Sequence, residues 1–127
     1  LLNAEYYSNE DIMAIKIIYN PDNKLTILYD MIGELNELVA HELRHSHQKT
    51  TGSYELTPDT DEDQGLNYYT KPHEIDAQYY GFKRMSKITR RPFEMVVVDW
   101  FEKNKDIHQM SDEESKSVIE KILSFRP

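Results

Sequence analysis

Apolar and polar positions along this chain change their period near residue 31. Before it, "IMAIKIIYN" (12–20) is an Ile-rich, β-branched run that predicts a strand. "PDN" follows as turn chemistry, because Pro21 fixes φ and Asp22 and Asn23 tolerate turn geometry. "KLTILYD" (24–30) alternates and is β-branched, which predicts the second strand of a hairpin. Residues 1–11 are polar around a Tyr6-Tyr7 pair and read as a partly helical or frayed lead-in.

From about Ile32 the period becomes helical. Leu35, Leu38, Val39 and Leu43 share one face, which predicts a helix to about Gln48 with Gly52 just beyond its end. Residues 51–72 read as a long irregular loop, a length that tends to be functional in a small domain. "HEIDAQYYGFKRMSKI" (73–88) predicts a second helix entered through Pro72. Pro92 opens a third, where Phe93, Val96, Val97, Trp100 and Phe101 form a core-facing stripe. A fourth begins near Ser111, with Glu114 three residues on as a capping box, and is expected to bury Val118, Ile119, Ile122 and Leu123. The expected fold is α+β: one domain over 1–127, with a small antiparallel sheet followed by helices.

Composition narrows the chemistry. A chain of 127 residues suits one modest core. The net charge of −8, with no basic face, speaks against a nucleic-acid partner. There is no cysteine, so disulfides, thiolate ligands and a cysteine nucleophile are excluded. Any metal has to be held by His, Asp, Glu or water. The lack of disulfides leans toward a cytoplasmic setting, and no apolar run approaches the ~20 residues of a membrane span. The acidic run "PDTDEDQG" (58–65) lacks the positional pattern of a calcium loop and reads as solvated.

The stretch "VAHELRHSHQ" (39–48) carries His41, Glu42 and His45 as His-Glu-x-x-His inside the first helix. Histidines four apart are ~40° apart around a helix and ~6 Å apart along it, so their imidazoles can converge on one ion. Glu42 lies ~100° from His41 and ~60° from His45, flanking the same face. That is the pattern of a zinc peptidase, in which a carboxylate takes a proton from an activated water. His47 lies ~200° from His45 and is expected to face away. A third ligand is needed, and Glu74 at the start of the next helix is the best candidate. Asp76 is the alternative, ~200° from Glu74, and His73 could be a ligand, a transition-state donor or a surface residue. Asp76 could also hydrogen-bond a ligand histidine. Candidate oxyanion donors are His73, Tyr68, Tyr69, Tyr79 and Tyr80; Tyr79 reads as core with Ile75 and Phe82. Arg44 reads as a salt-bridge or surface residue, and His108 as an isolated loop histidine.

"HELRH" followed by "PHEIDAQYYG" resembles the small Glu-type zincins of bacteria and their phages, most nearly the ImmA/IrrE type. The resemblance covers about residues 35–85. It implies a compact α+β metallopeptidase domain with Zn2+ held by His41, His45 and Glu74, Glu42 as base, and Ala77 as the small residue that lets the two helices approach. Gln78 stands where that family usually has Asn or Asp. The expected partner is a peptide or protein substrate, met by the 51–72 loop and by pairing along the "LTILY" strand edge. The alternatives are a zincin-fold binding or regulatory module without turnover, and a metal-free domain whose histidines are incidental.

Overall fold

The Ile-rich stretch finds its strand partner upstream rather than downstream. The computed structural model describes residues 2–7, 12–18, 22, 25–56 and 59–127. Strand β1 (Leu2–Tyr7) pairs antiparallel with β2 (Ile12–Ile17), setting Leu2 opposite Ile17 and Tyr7 opposite Ile12. Residues 2–7 are therefore a strand, not a frayed or helical lead-in. The end of the expected strand at 19–20, and Pro21 and Asn23 of the expected turn, lie outside the described residues.

Residues 25–30, expected as a strand, open helix α1 (Leu25–Thr51). A short apolar run does not by period alone distinguish strand from helix. With 12–17 already paired to 2–7, these residues extend a helix that forms anyway, and each added residue gains a hydrogen bond without a second nucleation cost. The peptide-pairing edge expected at "LTILY" is thus not a strand edge. Five further helices follow: α2 (Leu66–Tyr69), α3 (Pro72–Thr89), α4 (Phe93–Lys103), α5 (Lys105–His108) and α6 (Asp112–Ser124). The described chain is helix-dominated, with a single two-stranded hairpin as its sheet.

Helix α1 ends where Gly52 takes a left-handed φ of 64°, which only glycine adopts without strain. Helices α1 and α3 lie antiparallel, Gly33 against Thr89 near one end and Gln48 against His73 near the other. Small residues allow this approach. A Cβ on Gly81 would sit 2.9 Å from Glu37 Oε1 and 3.0 Å from the Glu37 carbonyl oxygen. Ala77, one turn before it, is fully buried.

Helix α3 divides its two faces between two tasks. Glu74, Gln78 and Gly81 fall on the side that meets α1, while Ile75 and Phe82 join Val96, Val97 and Phe101 of α4 and Val118 and Ile122 of α6 in the apolar core. The α4 stripe and the α6 stripe pack as their spacing predicts, with Phe93, Trp100, Ile119 and Leu123 partly buried around them. Ser111 and Glu114 form a complete capping box on α6. The expected loop over 51–72 is shorter than its span suggests, because α2 occupies part of it. Its acidic residues are clasped to the start of α3, Lys71 Nζ lying 2.9 Å from Asp59 and 3.1 Å from Asp63. Among the described residues, no helix is long and apolar enough to cross a membrane.

Candidate metal centre

Positions 41, 45 and 48 follow the i, i+4, i+7 spacing of one helix face, so their side chains leave α1 toward the first turn of α3. His41 Nε2 and His45 Nε2 lie 3.1 Å apart. Glu74 faces both: its Oε2 is 3.1 Å from His41 Nε2 and its Oε1 is 3.2 Å from His45 Nε2. All three residues are buried, and together they form a group that could hold a metal ion.

Hydrogen bonds behind the cluster orient it. Gln48, wholly buried, donates through Nε2 to the His73 carbonyl oxygen at 2.8 Å and to Asp76 Oδ2 at 2.7 Å. Its Oε1 is thereby turned to His45 Nδ1, 2.8 Å away, which carries the hydrogen. His45 Nε2 is left facing the cluster, the arrangement a ligating imidazole needs. Asp76 is held in turn by Arg44, with Nε at 2.7 Å and Nη2 at 3.2 Å, and the Arg44 guanidinium stacks 4.0 Å above the Tyr80 ring. On the other side of the cluster, Glu37 Oε1 lies 3.8 Å from His41 Nδ1.

The charges are strongly coupled. Burial works against protonation of His41, but the Glu74 carboxylate, helped by Glu37 and Glu42, outweighs it and raises the imidazole to about 9. Burial likewise opposes the charge on His45, and Glu74 again more than offsets it. Burial on its own would raise Glu74, yet the two imidazoles hold it well below the usual carboxylate range. Burial pushes Glu37 up to about 7, outweighing the lowering pull of His41.

These shifts fix a pH dependence. The raised His41 contributes stability to the metal-free protein that is complete below its ordinary pKa of 6.5 and is lost as pH rises through about 9. The lowered Glu74 contributes stability present above its ordinary 4.5 and lost as pH falls toward its depressed value. A divalent ion at His41 has to displace that imidazole proton. Displacing the His41 proton alone makes the apparent affinity rise about tenfold per pH unit up to about 9, and any proton displaced from His45 steepens the rise. Isothermal titration of the ion at several pH values measures this; a flat profile would place the ion elsewhere.

The structure thus brings together His41, His45 and Glu74. Glu42 is buried next to them, and with His41 it lines a cavity of about 220 Å³. Asp76 is outside the cluster and touches His45 only through Gln48, one bond further than expected. His73 is buried, its Nε2 3.7 Å from Glu74 Oε1 and its ring edge-on to His45. Tyr80 stacks on Arg44 rather than facing the cluster, and Tyr79 packs with Phe93 and Phe125. Tyr68 and Tyr69 line the same cavity as Glu42. His47 is exposed, as its position on the helix requires.

No family model, curated protein or solved structure matches this chain.

His108, expected in a loop, is instead buried at the end of α5, accepting from the Met110 N–H at Nδ1 and donating from Nε2 to the Phe101 carbonyl oxygen. It joins α4 to the segment before α6. Two residues at the site were not foreseen, Gln48 and Glu37. Gln48 falls on the His41 and His45 face and could have been found by continuing that spacing. Glu37 lies one turn before His41 and could have been found the same way.

Proposed function

We propose that this chain is a zinc-dependent metallopeptidase of the Glu-type zincin kind, with zinc held by His41, His45 and Glu74. The observation that carries the reading is the convergence of the two imidazole Nε2 atoms, 3.1 Å apart, on the Glu74 carboxylate, one ligand atom from each residue lying within 4.8 Å of the others. Tetrahedral zinc with bonds of about 2.0–2.1 Å needs ligand atoms about 3.3 Å apart, close to the separation of the two imidazole nitrogens. Two imidazoles and one carboxylate leave a fourth position open, the ligand set of catalytic rather than structural zinc.

Bound zinc supplies a water of lowered pKa and a Lewis acid for the scissile carbonyl. Glu42 is set to take the proton of the attacking water on its carboxylate and to return it to the leaving nitrogen. Burial, with the charges of Glu74, Tyr69 and Glu42, pushes the Tyr68 hydroxyl far above its ordinary range, so it stays an O–H donor. We assign Tyr68 to the developing oxyanion, since it shares the cavity with His41 and Glu42. Gln48, Asp76 and Arg44 hold the His45 ring in place.

The test is a screen of the zinc-loaded chain against a diverse quenched-fluorescent peptide library. Cleavage is expected, abolished by chelation and restored by zinc. A fully zinc-loaded protein that cleaves no member of the library would remove the enzymatic reading.

A further inference from the structure

The cavity beside the metal centre combines features that a wholly apolar or wholly acidic ligand would not satisfy. Leu38, Phe82 and Trp100 give it apolar walls, while Glu34 and Glu37 line it from the α1 side. We infer that this cavity is a specificity pocket for a basic side chain, Lys or Arg, of the substrate, received by Glu34, Glu37 and Gln78. The inference rests on the peptidase reading for the molecule that delivers this side chain.

Gln78 is the observation that points to a ligand. It lines the cavity at 3% exposure, and neither its Nε2 nor its Oε1 has a hydrogen-bond partner. Buried amides are nearly always paired, so one with both ends open marks a place for an occupant that donates and accepts. The Gln78 Oε1 can accept from an ammonium or guanidinium N–H. Its Nε2 can donate to a substrate carbonyl.

Charge and size select among occupants. Among the described residues lining the cavity there is no Lys or Arg. The lysine whose charge Glu34 feels, Lys103, is exposed and lines the neighbouring cavity. An apolar side chain would leave the two carboxyl groups and the Gln78 amide without a polar partner, and an acidic one would add a third acidic group beside them. A basic side chain lays its hydrocarbon stem on the apolar walls and keeps its charged head for the carboxylates. Arg also gains from stacking on Trp100. The volume of about 220 Å³ is below the ~300 Å³ lower end of small-molecule pockets and suits one side chain.

Placement supports the same occupant. Glu37 and Glu34 precede His41 by one and two turns on α1, about 6 and about 10 Å along the axis. The two carboxyl groups thus extend the cavity along α1 away from the metal centre, within reach of a long side chain.

Trp100 is the only tryptophan in the sequence and lines the cavity, so its fluorescence reports occupancy. The experiment titrates the zinc-loaded chain with arginine amide, citrulline amide and leucine amide. Arginine amide is expected to bind at least about tenfold more tightly than the other two, a preference due to a charge-assisted hydrogen bond. That preference should fall to near parity in Glu34→Gln and in Glu37→Gln. Citrulline or leucine amide binding as well as arginine amide would overturn the proposal, as would a preference that survives both substitutions. Zinc content and peptide cleavage are measured on the same samples. A preference for arginine amide without any cleavage would keep the pocket and discard the peptidase reading. Cleavage without that preference would discard the pocket alone.

Discussion

Glu42→Gln is expected to leave zinc bound and to abolish hydrolysis. The substitution keeps the shape of the side chain and removes only its ability to take a proton. His41, His45 and Glu74 are untouched, so zinc content should remain near that of the wild type. General-base catalysis contributes on the order of 10²- to 10⁴-fold, and the rate should fall by that much. Turnover measured on a peptide cleaved by the wild-type chain, with zinc content determined on the same sample, checks both halves. A variant that cleaves as well as wild type would remove Glu42 from the mechanism.

The largest effect on stability is expected from Glu74→Ala. In the metal-free protein it removes a buried carboxylate that faces two imidazoles. Breaking a buried pair by deleting one partner costs about 3–5 kcal/mol. The loss should be greatest below pH 6.5, where His41 in the wild type is fully protonated, and should shrink as pH rises through about 9. With metal the contrast is sharper. Zinc at about a hundred times its dissociation constant is expected to stabilise the wild-type chain by about 2.7 kcal/mol. For a domain of this size that is a rise of roughly 10 °C in thermal midpoint. Glu74→Ala should show almost none of that rise. An equal rise in both proteins would mean that Glu74 is not a ligand.

Much of the site was legible because helix geometry is rigid. His41, Glu42 and His45 are fixed relative to one another by 3.6 residues per turn, and the stripe from Leu35 to Leu43 was enough to place them on a helix. Glu74 could be named because it opens the next helix. The α4 stripe and the Ser111–Glu114 cap were readable for the same local reason. What was missed depends on pairing between distant segments. Whether Leu25 to Asp30 becomes strand or helix is decided by which segment pairs with 12–17, and no local period records that. His108 lies in a polar stretch, "KDIHQM", and its burial follows from where α4 and α6 meet. The unpaired amide of Gln78 could not be foreseen either, since it depends on what faces it across α1.

The most direct measurement is the zinc content of the purified chain by mass spectrometry, with His41→Ala and Glu74→Ala alongside. About one zinc per wild-type chain, lost in both variants, is the expected result for a His41–His45–Glu74 centre. Loss in His41→Ala but retention in Glu74→Ala would move the third ligand to a neighbour such as His73. A wild-type chain that takes up no metal when zinc is offered would contradict the centre itself.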